Sequence, residues 1–330
     1  MDIHKTVILG LCLFFCASIP SSAQPENSLV DNYACPEPSG GTLTYPQLVE
    51  KYADENSKFV VLEGKAGIRV HYKDNGTGPA ILLIHSSSGD TLDWEPWVDI
   101  LSKDYRVVRL DLPAFGLTGM VPSGNYSVER FLTMIDALMD HLDIQKFAIV
   151  GMSYGGPVAF RYAGTRVDRI TALVLGNSAG IEYGGRGGTV ERDRDPDAVF
   201  TPSTREARFT AEFLNTVIND PSKVTPELIA RKTDFANVIC RDWESFIATR
   251  LYERGNPERV LNHVRAPALV FWGGNNSALS VETADAFVDA LQNAKSVEKI
   301  IYEGGGHLLH IERPRQTAQD VKEFFDKNIR

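Results

Sequence analysis

Short, wholly apolar runs recur along this chain, and between them apolar residues return every three or four positions. Ala80-Ile81-Leu82-Leu83-Ile84 is apolar throughout, as a strand buried on both faces requires. Phe147-Ala148-Ile149-Val150 and Pro267–Trp272 are alike, and Tyr105–Leu110, Ile170–Leu175 and Val297–Tyr302 read as strands with polar residues among the apolar ones. Upstream, Phe59–Glu63 and Ile68–Tyr72 flank Gly64–Gly67 and read as a hairpin-like opening pair. Phe131, Met134, Leu138 and Leu142 fall on one face of a helix predicted over Val128–Leu142. Strands alternating with helices predict an α/β fold, a mainly parallel sheet with helices on both faces.

One segment breaks the alternation. From Gly180 to His263 no clean buried strand appears, and helical patterns run over Thr204–Ile218, Thr225–Thr233 and Trp243–Tyr252. An insertion of that length between two core strands is too long for a loop. It reads as a helical lid, with Gly184–Gly188 as a hinge-like stretch and Glu191–Asp195 as solvated surface. The expected organisation is a core over 58–180 and 264–330, a helical cap over 181–263 and an N-terminal arm over 24–57. A short helix near Tyr45–Tyr52 packs the arm onto the domain.

The first 23 residues are expected to be no part of the fold. Thr6–Ile19 is apolar, Pro20 ends it, and Ser21-Ser22-Ala23 offers small residues for cleavage before Gln24. This reads as a secretory signal, which makes the protein secreted or periplasmic; an uncleaved anchor is the alternative. The mature chain then keeps Cys35 and Cys240, as one disulfide or two separate thiols. At 43% hydrophobic, 23% charged and a formal net charge of −9, the chain is an ordinary soluble composition with no attraction for nucleic acid and no polybasic membrane anchor.

Chemistry concentrates at Gly151-Met152-Ser153-Tyr154-Gly155. A strand runs into a sharp turn and then into a helix near Pro157, and the glycines flank Ser153 where a Cβ would collide with backbone. This is the G-x-S-x-G nucleophile elbow. Its bland counterpart is a glycine-rich turn whose serine caps a helix. A serine hydroxyl needs a base to take its proton. His307 follows the last strand behind Gly304-Gly305-Gly306, and His310 competes three residues on. His71, His141 and His263 lie where packing or exposure explains them.

From Lys58 to Arg330 the chain resembles the α/β-hydrolase superfamily. The resemblance rests on the elbow, the His85 strand end, Asp111-Leu112-Pro113-Ala114-Phe115-Gly116 and Gly304-Gly305-Gly306-His307, in the family's order. It implies an eight-stranded sheet with a cap after the sixth strand, and it makes His307 the matching base. It also implies an oxyanion hole from the N–H groups of Tyr154 and Ser87, with Ser86 standing where the family usually has glycine. His85 itself is then structural.

The third triad member departs from the family pattern. Trp272-Gly273-Gly274-Asn275-Asn276 puts Asn276 where the family acid usually stands, and Asn177 occupies the alternative place after the sixth strand. Asn276 could orient His307 as a neutral acceptor, another acid such as Glu182 could reach it, or the triad could be impaired. In the serine-protease template, aspartate to asparagine lowers kcat by roughly 10⁴. A serine, where relatives that open epoxides or displace halides use a carboxylate, implies acyl transfer. The expected function is a carboxylesterase-like serine hydrolase acting on a small or medium ester. A carbon–carbon bond hydrolase and a non-catalytic ligand-binding hydrolase fold are the alternatives. No metal or organic cofactor is implied.

Overall fold

The computed structural model describes residues 38–62, 67–181, 199–250 and 256–329. The predicted signal, the Gly184–Gly188 stretch, the charge run Glu191–Asp195 and Glu182 lie outside them.

Eight strands form one sheet: β1 Lys58–Leu62, β2 Ile68–Asn75, β3 Ala80–Ile84, β4 Arg106–Leu110, β5 Phe147–Met152, β6 Ile170–Gly176, β7 Ala268–Gly273 and β8 Val297–Tyr302. Their spatial order is β1-β2-β4-β3-β5-β6-β7-β8. β1 with β2, and β2 with β4, pair antiparallel; every later pair is parallel. The apolar runs are the central strands because only the centre is covered on both faces. All residues of β3, β5 and β7 are buried, whereas β8, at the edge, alternates.

The helices are α1 Tyr45–Tyr52, α2 Glu95–Leu101, α3 Val128–His141, α4 Gly155–Thr165, α5 Ala207–Val217, α6 Pro226–Ala236, α7 Arg241–Arg250, α8 Pro257–Leu261, α9 Thr283–Ala290, α10 Leu309–Glu312 and α11 Pro314–Asn328. Start signals are local. Ser127 caps α3 by accepting from Arg130 N, Thr225 caps α6 by accepting from Leu228 N, and Thr44 with Gln47 forms a capping box on α1. One apolar layer packs α3, α4 and α9 on the sheet, and the other packs α2 and α11.

Between β6 and β7 the described residues hold α5, α6, α7 and α8. They are also tied to the arm. Leu43 bridges to Val238, Ile239 N donates to Leu43 O at 2.8 Å, and Tyr52 Oη donates to Asp234 at 2.6 Å. Cys240 lies in the same contact and is disulfide-bonded; Cys12, Cys16 and Cys35 lie outside the described residues.

Candidate active site

Five adjacent parallel strands end at one rim, and each delivers one part of the site. β5 delivers Ser153. Its φ is +47°, and it is held by Ser153 N to Gly176 O at 3.0 Å. A Cβ on Gly151 would lie 2.4 Å from Gly155 O, and one on Gly155 would lie 2.6 Å from His85 O. The two glycines are therefore the condition for the elbow, since only they allow strand, helix and neighbouring loop to touch.

β8 delivers His307. Its Nε2 lies 2.8 Å from Ser153 Oγ, and its Nδ1 lies 3.1 Å from Asn276 Oδ1, which β7 supplies. Asn276 Oδ1 also accepts from Ala278 N and Leu279 N, both at 3.0 Å, and its Nδ2 donates to Asn177 Oδ1 at 3.0 Å. Asn177, at the end of β6, accepts from Gly273 N at 2.9 Å. Its Nδ2 donates to His307 O at 2.6 Å and Gly306 O at 3.2 Å. With Asn276 Oδ1 as acceptor, His307 carries its proton on Nδ1 and offers Nε2 to the serine, the tautomer a general base needs. Ser153 and His307 are each 6% exposed. Burial pushes the His307 imidazole down to about 4, so the ring is neutral at ordinary pH.

β3 delivers the turn His85–Gly89. Gly89 N closes it onto Ser86 O at 2.9 Å, and Ser88, not Ser86, takes the positive φ of +61°. Ser86 thus fits the turn without the glycine its family position usually carries. Ser87 lies in this turn, and Tyr154 follows the nucleophile at the head of α4. His85 is structural: its Nδ1 faces Ser86 O at 2.7 Å and its Nε2 accepts from Leu112 N at 2.9 Å. His310 is fully buried against Trp94, with no partner for either ring nitrogen among the described residues.

A second Ser-His-Asp arrangement lies at the end of β4. His71 Nδ1 meets Asp111 Oδ2 at 2.7 Å and His71 Nε2 meets Ser57 Oγ at 3.0 Å. Here Ser57 Oγ also accepts from Asp54 N at 3.1 Å, and Asp111 also accepts from Thr91 N and Leu117 N at 2.7 Å each. These bonds make it a staple that joins the arm to the Asp111–Gly116 loop. His71 is thus more than the ordinary packing expected of it.

Three groups of functional residues were not readable in the sequence. The inserted segment supplies Val217, whose carbonyl accepts from His307 N at 2.8 Å. Glu312, buried on α10, accepts from Gly306 N at 3.1 Å and Asn219 N at 2.8 Å. Lys232 on α6 donates to Asp90 at 2.7 Å and Asp93 at 2.6 Å beside the Ser86–Ser88 turn, and Arg231 joins at 2.6 Å to Asp93. Burial raises both carboxyls. Lys232 and Arg231 outweigh it at Asp90, which is held low, whereas Asp93, facing the Asp90 charge, is raised. Apart from the Gly306–Glu312 bond, six residues apart, these are long-range contacts with no local pattern.

A cavity of about 590 Å³ opens between this turn and the inserted helices, walled by Ser88, Phe115, Phe200, Phe235 and Phe246. Ser153 is not among its lining residues. The inner end is the turn, from which a narrower pocket runs to Leu308, next to His307.

Residues 79–314 match the family model described as alpha/beta hydrolase fold. The chain belongs to the alpha/beta hydrolase family. This hydrolase is 28% identical to the 2-hydroxy-6-oxononadienedioate/2-hydroxy-6-oxononatrienedioate hydrolase of Paraburkholderia phymatum, over 81% of the chain and 95% of that relative. It is 27% identical to an uncharacterized hydrolase of Saccharomyces cerevisiae, over 82% of the chain and 98% of the relative. Among solved structures, a putative lipase from Acinetobacter baumannii aligns with a TM-score of 0.71 at 21% identity, covering 87% of the chain and 97% of that structure.

Proposed function

We propose that the chain is a serine hydrolase that cleaves a small or medium carboxylic ester through an acyl-enzyme on Ser153. The observation that carries this reading is the 2.8 Å contact between His307 Nε2 and the Ser153 hydroxyl on a strained elbow. His307 takes the hydroxyl proton as Ser153 Oγ attacks the carbonyl carbon. The N–H groups of Ser87 and Tyr154 meet the oxyanion. The proton returns to the leaving alcohol, and water repeats the sequence to release the acid. Asn276 keeps the imidazole in the working tautomer. The large cavity sets aromatic walls beside Arg205, Lys232, Arg241 and Asp242, room for a substrate with both an apolar and a polar part, and the inserted helices act as a cap over it.

The test is labelling with a fluorophosphonate probe beside p-nitrophenyl ester turnover. Ser153 is expected to be the labelled residue, and Ser153→Ala to lose at least about 10⁴-fold in kcat. Turnover unchanged in that variant overturns the reading. The 28% identity to a 2-hydroxy-6-oxononadienedioate hydrolase supports a second reading, cleavage of a carbon–carbon bond at the same serine. Faster turnover of such a 2-hydroxy-6-oxo-dienoate than of any simple ester would favour it. Export from the cytoplasm is part of the proposal and rests on Thr6–Ala23 alone.

A further inference from the structure

Both places where this fold carries its acid hold asparagine here, and the two amides bond to each other. We propose that Asn177 is a positioning residue that commits the site to an uncharged third member, because it admits a side chain at 276 only if that side chain donates a hydrogen bond toward it. The inference rests on the reading of Ser153 and His307 as nucleophile and base.

The orientation of each amide follows from partners that cannot change role. A backbone N–H can only donate, so Gly273 N fixes Oδ1 of Asn177 at 2.9 Å. A carbonyl can only accept, so His307 O and Gly306 O fix its Nδ2 at 2.6 and 3.2 Å. At Asn276, the N–H groups of Ala278 and Leu279 fix Oδ1, which leaves Nδ2 facing Asn177 Oδ1 at 3.0 Å. A carboxylate at 276 would set an anionic oxygen against Asn177 Oδ1, two acceptors with no proton between them. Turning the Asn177 amide over would set its NH₂ against Gly273 N–H and its oxygen against two carbonyls. Asn177 is fully buried, so water cannot relieve either arrangement. Its backbone adds a constraint: φ is +42°, a region that asparagine tolerates better than most side chains.

The consequence runs against simple restoration of an acid. In most triads a carboxylate raises the basicity of the imidazole; here burial without a charged partner leaves His307 a weak base. Asn276→Asp in the otherwise native chain does not supply the missing charge, because Asn177 keeps the new carboxyl protonated or displaces it.

The experiment follows His307 by ¹⁵N-histidine NMR, its signals assigned by their loss in His307→Gln, together with kcat and KM for an activated ester against pH. Four full-length proteins are compared: wild type, Asn276→Asp, Asn177→Ala and Asn177→Ala/Asn276→Asp. Wild type is expected to show the Nδ1–H tautomer. Asn276→Asp is expected to leave the His307 pKa and kcat at or below the wild-type values. In the Asn177→Ala background the same substitution is expected to raise the pKa by about 1–2 pH units and kcat by about tenfold. A rise in both with Asn177 in place, or equal effects in the two backgrounds, overturns the proposal. Should Asn276→Asp fail to fold, an unchanged His307 pKa between wild type and the double variant overturns it instead. If wild type neither labels at Ser153 nor turns over esters, the proposed function fails, while the NMR titrations still decide the role of Asn177.

Discussion

His307 and His310 stand three positions apart, and only their surroundings separate them. His307 meets Ser153 on one side and Asn276 on the other, whereas His310 packs tilted against the Trp94 ring. Since burial holds His307 near 4, its neutral, proton-accepting form persists well below the ordinary histidine value of 6.5. The acid limb of kcat/KM against pH is therefore expected near pH 4, and a limb at pH 6.5–7 would show that a negative charge reaches the ring. Asn276 and the elbow were legible in the sequence as positions in motifs. The bonds of Asn177 to His307 O and Asn276 were not, because residues 99 and 130 positions away have no local signature.

The strands were legible because a central parallel strand must be apolar along its whole length, and the helices because an amphipathic face returns every three or four residues. The predicted runs Thr204–Ile218 and Thr225–Thr233 correspond to α5 and α6. What periodicity omitted is their polar business with the core. The last turn of α5 presents Val217 O to the His307 loop, and α6 drives Lys232 into Asp90 and Asp93 behind the Ser86–Ser88 turn. Lys232 is 7% exposed, so its removal leaves two buried carboxylates with Arg231 as their remaining cation. Lys232→Met is expected to cost about 3–5 kcal/mol of stability, read from urea unfolding, with a drop in kcat as the turn relaxes. A loss below about 1 kcal/mol would place this cluster with weak surface pairs.

The arm, the sheet and the inserted helices interlock rather than stack as separable parts. The insertion, expected as a lid, bonds to the His307 loop through Val217 O and through Asn219 Nδ2 to Gly304 O, and to the arm at Val238 and Ile239. Buried neutral histidines also give the molecule a pH-dependent stability of definite sign. As pH falls through about 6.5, the unfolded chain takes up protons that the folded chain refuses until about pH 4 at His307, and lower than the ordinary value at His310. Folded stability is thus expected to fall with pH across that window. His307 contributes about 3 kcal/mol, at about 1.4 kcal/mol per pH unit. The check is the urea midpoint at pH 7 and pH 4.5 for wild type and His307→Gln, whose smaller difference should isolate this share. A midpoint independent of pH would contradict it.

Apolar runs and their spacing were enough to determine the α/β class and the strand series, and the elbow motif singled out Ser153; the choice of His307 over His310 came from the resemblance, not from spacing. Each depends on neighbours within a few residues or on the order of elements along the chain. Only the folded molecule showed how the two asparagines at the acid positions meet. The rim brings the ends of β6, β7 and β8 within hydrogen-bond reach, and there the fixed donors and acceptors of the backbone assign each amide a single orientation. Hydrogen bonding at 3 Å is a property of atoms in space, and no sequence spacing encodes which of two asparagines must donate to the other.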